Sequence, residues 1–130
     1  MMGGFRELTV WQRGKELAVE IYRLTQDGFF SRDFGLRDQV RRAAVSIPSN
    51  VAEGDERGTN KEAVHFFYIA KGSLAELQTQ LEIAHEIAYL DLETLTALNE
   101  KCAQLGKMLG SLISARSSGS RVPPSPEEKP

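Results

Sequence analysis

The sequence predicts an all-α chain folded as an antiparallel, up-down-up-down four-helix bundle, and three observations predict it. Apolar residues recur at alternating spacings of four and three through four segments, which is the period of a buried helix stripe. Short polar or glycine-containing connections separate those segments, which favours antiparallel neighbours. No stretch shows the two-residue alternation of a half-buried strand.

The first helix reads from about Leu8 to Thr25, with Val10, Gly14, Leu17, Ile21 and Leu24 as its seam. Trp11, Ala18 and Tyr22 widen its apolar face, and Asp27-Gly28 supplies a turn. Phe29, Phe30 and Phe34 fall in the following connection, where three aromatics are expected to close one end of the bundle.

The second helix begins near Gly35 or Leu36 and carries Leu36, Val40, Ala43, Ile47 and Asn50 at the same spacing. Pro48 interrupts it. Proline removes one helix hydrogen bond and crowds the preceding turn, so a kink or a restart is expected there, with Gly54 as the C-terminal cap. A polar loop over residues 55–60 follows, and Asn60, or Thr59 with Glu62, is placed to cap the third helix. That helix is the longest, with Ala63, Phe67, Ala70, Leu74, Leu77, Leu81, Ala84 and Ala88 leading to about Leu90. Roughly 28 residues at 1.5 Å each make it about 42 Å long.

Asp91 is placed to cap the fourth helix, whose seam is Leu95, Leu98, Cys102, Leu105, Leu109 and Leu112. Cys102 reads as a small core residue because it lies on that seam. From Ser117 the chain has almost nothing apolar to bury. The expected organisation is an N-terminal arm over 1–7, the bundle over 8–116 and a disordered Ser/Gly/Pro-rich tail over 117–130.

Composition narrows the function classes. The 130 residues hold 16 basic and 18 acidic side chains, a net charge of −2, so no global positive field draws the chain to nucleic acid or anionic lipid. Lone Cys102 cannot form an intrachain disulfide, no charged-then-apolar leader precedes Phe5, and no apolar run approaches the roughly 20 residues of a membrane span. A cytoplasmic protein with no membrane partner is expected.

Two Glu-x-x-His sequences, Glu62 to His65 and Glu82 to His85, have the spacing used by di-iron bundles. Both lie on one helix about 30 Å apart, where they cannot face each other, so neither a metal nor any other cofactor is expected. No glycine-framed serine, paired cysteine and histidine, or phosphate-cradling loop is present, and no catalytic residue is assigned.

Polar side chains beside the seams are more informative. Along the third helix a second row runs Phe66, Ile69, Ser73, Glu76, Gln80, Ile83 and Ile87, apolar at its ends and polar at its centre. The second helix offers Gln39, Arg42, Ser46, Ser49 and Glu53. These rows read either as a wide core stripe with a solvated middle or as a second interface, made with another copy of the chain, in which polar groups fix register. On that basis Asn50, Glu53, Ser73 and Glu76 are expected to be wholly or partly buried and hydrogen-bonded, with Arg42 the nearest cationic partner for a glutamate. Arg37 and Arg41, one turn apart, form a candidate polyanion ridge, against which stands the ordinary helix-surface ion pair of Asp38 with Arg42.

Several of these residues carry a family resemblance. Trp11, Gly35-Leu36 followed by Gln39 and Arg42-Ala43-Ala44, the string Ile47-Pro48-Ser49-Asn50-Val51-Ala52-Glu53-Gly54, and Ala70-Lys71-Gly72-Ser73-Leu74-Ala75-Glu76-Leu77 together resemble a bacterial family first known from open reading frames in intervening sequences of 23S ribosomal RNA genes. The resemblance covers residues 5 to about 114. It implies a four-helix bundle assembled as a ring-shaped homopentamer, without established enzymatic activity. The expected function is therefore a non-catalytic oligomeric scaffold or adaptor, with itself as partner and a further protein partner that the sequence does not name. One relative, the accessory variability determinant of diversity-generating retroelements, is similar in fold and pentameric form and binds a reverse transcriptase and nucleic acid through a strongly basic surface. The alternative is thus a nucleic-acid-associated accessory protein acting with such an enzyme. This chain is acidic overall and departs from that basic pattern.

Overall fold

The computed structural model describes residues 4–117; of the expected tail over 117–130, Ser117 ends the last helix and the rest lies outside the described residues. Those residues form one 3-10 turn (Gly4–Glu7) and five α-helices: α1 (Thr9–Leu24), α2 (Gly28–Arg32), α3 (Phe34–Asp55), α4 (Asn60–Glu86) and α5 (Leu92–Ser117). No strand occurs among the described residues. Four helices are long and α2 is a five-residue connector.

Around the bundle the order is α1, α3, α4, α5, with α1 also touching α5. Cross-helix pairs set the directions. Ser46 meets Ser73 and Gln39 meets Gln80, so α3 and α4 are antiparallel. Gly14 faces Pro48 while Thr25 meets Arg41, so α1 and α3 are antiparallel as well. Asn99 with Glu82 is consistent with the α4–α5 hairpin, and Lys101 with Glu20 joins α5 to α1. The seam residues fill the core: Val10, Leu17, Ile21, Val40, Ile47, Phe67, Leu74, Leu77, Leu81, Leu98, Cys102 and Leu105 are all buried.

Two caps form where their spacing predicts. Thr59 accepts the Glu62 amide at 3.2 Å and its hydroxyl lies 3.4 Å from the Glu62 carboxylate, as in a capping box. Asp91 accepts the Thr94 amide at 2.8 Å, and hydrogen bonding from the Thr94 side chain, followed by that amide, holds the Asp91 carboxyl below its usual pKa.

Several sequence expectations need correction. Pro48 neither restarts nor ends α3, which runs unbroken from Phe34 to Asp55. Pro48 is buried against Gly14, where a Cβ added to the glycine would stand 3.4 Å from the proline ring, so packing overrides the local cost of about 3 kcal/mol. Gly54 lies inside α3 and does not cap it. A Cβ there would sit 2.7 Å from Phe67 Cε1 and 2.9 Å from the Ala63 carbonyl oxygen, so α3 and α4 approach too closely at this point to admit a side chain.

Helix α4 stops at Glu86, four residues short of Leu90. The Tyr89 amide donates to the Ala84 carbonyl at 2.8 Å and the Ala88 amide to the His85 carbonyl at 2.9 Å, a Schellman pair that requires Ala88 to be left-handed, at φ 68°. Ala88 is consequently exposed and off the seam. At the end of α5 the buried position passes from Leu112 to Ile113, because a 3.6-residue helix drifts against a 3.5-residue repeat.

The three phenylalanines behave differently from one another. Only Phe30 is buried, with its ring 5.4 Å from that of Tyr89, whereas Phe29 and Phe34 are 68% and 65% exposed. Helix α2 turns one aromatic inward and the other outward. The expected arm is in its described part a 3-10 turn whose Phe5 ring packs 5.2 Å from Trp11.

Candidate oligomer interface

The side of α3 and α4 that turns away from the core carries the polar rows. Ser46 and Ser73 share a hydrogen bond of 2.8 Å, and Asn50 Nδ2 donates to both the Ser46 hydroxyl (2.9 Å) and the Ser46 carbonyl (2.8 Å). Two turns away, Gln80 Nε2 donates to Gln39 Oε1 at 3.4 Å. Ser73 and Gln80 are buried, Ser46 and Asn50 half-buried, and Gln39 exposed. Gln80 Oε1 is buried without a hydrogen-bond partner, a cost of about 1–3 kcal/mol.

The charged members of the row stand outside this cluster. Glu53 is exposed and pairs with Arg57 on its own helix at 2.7 Å. Arg42 and Glu76 are exposed and form no ion pair with each other or with any described residue. The expected pairing of Arg42 with a glutamate therefore does not occur among the described residues. The reason is direction: both side chains point past the α3–α4 seam into solvent. Ile69 and Ile83 on α4, and Ile87 immediately after its end, flank this polar centre and remain 39–47% exposed. Single exposed isoleucines are ordinary; these three recur along one line at helical spacing.

The two arginines of the candidate polyanion ridge are engaged inside the chain. Arg41 donates Nε to the Thr25 hydroxyl at 2.7 Å and an Nη to the Thr25 carbonyl at 3.3 Å, with its guanidinium 4.5 Å from the Tyr22 ring centroid. Thr25 in turn donates its buried hydroxyl to the Ile21 carbonyl at 2.8 Å. Arg41 thus closes the C-terminal end of α1, where unpaired carbonyls and the helix dipole favour a cation. Arg37 donates to Asp38 at 3.0 Å and to the Ser31 carbonyl at 3.1 Å, over the Phe34 ring.

The Glu-x-x-His sequences remain apart. Glu62 serves the α4 cap, and His65 is exposed. Glu82 accepts from Asn99, and His85 Nδ1 donates to the Leu90 carbonyl at 3.1 Å, stitching the corner between α4 and α5. Among the described residues no group of three or more His, Cys, Asp or Glu is placed to hold a metal ion. Burial, with the Glu20 carboxylate a smaller contributor, pushes the Cys102 thiol up to about 11, which keeps it protonated and unreactive near neutral pH. No described helix is long and apolar enough to cross a membrane.

One structural residue escaped the sequence reading. Asp33 caps α3 by accepting the Leu36 amide at 3.1 Å, and its second oxygen accepts the Tyr89 hydroxyl at 2.9 Å. That bond holds the phenol proton and raises the Tyr89 pKa. An aspartate before a helix signals a cap, but its pairing with a residue 56 positions away has no local signature.

A family model described as 23S rRNA-intervening sequence protein matches residues 6–111. The curated proteins give no match. Among solved structures, the chain is similar to a protein of unknown function from the S23 ribosomal protein family of Bacteroides thetaiotaomicron, at 23% identity and a TM-score of 0.75, over 81% of this chain and 98% of that one. At that identity the likeness speaks for the fold alone.

Proposed function

The chain belongs to the 23S rRNA-intervening sequence protein family, and from that premise we propose that it is a non-catalytic, cytoplasmic scaffold or adaptor that works as a homo-oligomeric ring, in all a pentamer. One observation carries the reading: α4 and the residue that follows it present a second row, Ile69, Glu76, Ile83 and Ile87, that a single bundle leaves in water. A face with exposed isoleucines around an unpaired carboxylate is suited to contact with protein, where apolar area supplies affinity and charge supplies register. Asn50, Ser46 and Ser73 hold α3 and α4 in one register beneath that face, and Gln39 with Gln80 extends the same seam. The binding partner of the assembled ring is a protein recognised by a surface repeated once per copy.

A second reading has an observation of its own. The exposed rings of Phe29 and Phe34 lie under the guanidinium groups of Arg32 and Arg37, at 5.1 and 4.7 Å, and aromatic rings beside arginines are a stacking surface for single-stranded nucleic acid. The net charge of −2 opposes it. Fluorescence anisotropy with labelled single-stranded RNA, at about 50 and 200 mM salt, separates the two. The scaffold reading expects no binding at micromolar protein. Binding that weakens steeply with salt and is lost in the Phe29→Ala/Phe34→Ala variant would transfer the function to the accessory reading.

A further inference from the structure

A shallow apolar groove of about 440 Å³ lies between α1 and α3, with Ala18, Val19, Tyr22, Val45 and Pro48 in its lining. Val19, Tyr22 and Val45 are 40–44% exposed there. Its rim is basic. Lys15 and Arg23 border it without an ion pair among the described residues, while the nearby acids are engaged elsewhere, Glu16 with Arg13 and Glu20 with Lys101. The outer row of α4 has the opposite character, with apolar Ile69 and Ile83 on either side of Glu76, a carboxylate without an ion pair among the described residues.

We propose that the α1–α3 groove of one copy receives the outer row of α4 from the next copy, with Glu76 set against the next copy's Arg23. This rests on the homo-oligomeric reading above and adds to it which two surfaces meet. The contact is heterologous, joining unlike patches, so it must either close into a ring or run on as a filament.

Height along the bundle and the angle between the two faces select this pairing. Ser46 with Ser73 and Gln39 with Gln80 place Glu76 roughly level with Ala43 of α3. Gly14 against Pro48 and Thr25 against Arg41 place Ala43 roughly level with the stretch of α1 from Val19 to Arg23. In a ring whose axis parallels the bundle, copies keep equal heights, so Glu76 of one copy arrives opposite the groove and Arg23 of the next.

The groove lies on the α1–α3 side of the bundle and the α4 row on the α3–α4 side, and these are adjacent sides of a four-cornered cross-section. Adjacent sides face about 90° apart, and a closed ring needs about 90° for four copies, about 108° for five and about 120° for six. Opposite sides would give a filament. The two faces that are complementary in charge and apolarity are therefore also the two whose arrangement closes a small ring.

The test is a charge exchange read by size exclusion with light scattering on the full chain, with far-UV circular dichroism confirming that helix content is kept. Glu76→Arg alone and Arg23→Glu alone are each expected to reduce the mass towards the 14.4 kDa of one chain at micromolar concentration. The double variant is expected to regain the parental mass. Either single variant holding the parental mass, or a double variant that fails to regain it, overturns the pairing while an oligomeric parent leaves the assembly reading standing. A parent of one-chain mass overturns both. A chain ending at Ser117 is expected to assemble like the parent; loss of assembly on that truncation would assign the groove to residues 118–130 and overturn the proposal.

Discussion

The two faces of α4 contrast more sharply than any two helices do. On the core face Ala63, Phe67, Ala70, Leu74, Leu77, Leu81 and Ala84 are at most 4% exposed, with no polar atom needing a partner. On the outer face Ile69, Ile83 and Ile87 stay open around Glu76. Both faces follow the same helical spacing, so periodicity alone cannot tell them apart. What separates them is volume: Gly54 and the small residues of α3 bring a neighbour against the first face, and none of the described residues covers the second. The core face holds the fold of one copy, whereas the outer face stays exposed and is the surface that the proposed assembly uses.

Substitutions on the core face should therefore act on folding, and the largest effect is expected at Phe67. It is fully buried and packs with Ala63 and Ile113 at the end where α3, α4 and α5 meet. Phe67→Ala removes the ring from that cluster, and a loss of about 3–5 kcal/mol in urea unfolding is expected. Gly54→Ala should follow at about 1–3 kcal/mol, because its methyl would overlap both the Phe67 ring and the backbone carbonyl of Ala63. The backbone contact cannot be relieved by a rotamer change, so a wild-type melting temperature for Gly54→Ala would mean that α3 and α4 are further apart than described.

Between the faces lies the polar seam. Ser73→Ala removes the Ser46 partner while Asn50 continues to donate to Ser46, so a smaller loss of about 1 kcal/mol is expected by the same measurement. Smallest, and opposite in sign, is Ala88→Gly. The residue is exposed and left-handed in the turn that ends α4, so removing its Cβ should stabilise the chain by roughly 0.5–1 kcal/mol in thermal unfolding. A loss of stability at Ala88 would show that the turn does not strain that residue.

The same contrast explains what could be read from the residues alone. The core face is legible because burial imposes a repeating constraint on every turn, which is why Val40, Leu77, Leu98 and Leu105 are identifiable one by one. Caps are legible where donor and acceptor are three residues apart, as at Thr59 and Asp91. Close approach between helices is not. Gly54 has the composition of a cap, and only the position of Phe67 on a different helix reveals its use. Pro48 likewise reads as a breaker until Gly14 is seen to give its ring a place. Arg41 reads as a free surface cation because its acceptors, the carbonyls and hydroxyl at the end of α1, come from another helix. In the candidate interface, spacing finds the row but not the engaged members: Ser73 and Asn50 are bonded within the chain, while Glu76 and Arg42 are left to whatever meets that face.

Because Glu76 and Glu82 lie on the same helix and are both exposed in a single copy, their relative reactivity reports directly on what covers the outer face. Carbodiimide-driven amine labelling of the native chain at micromolar concentration, followed by peptide mass spectrometry, measures it. Protection of Glu76 with Glu82 modified, and loss of that protection when the protein is diluted until it dissociates, is the predicted result. Equal modification of the two glutamates at every concentration would contradict an assembly built on this face.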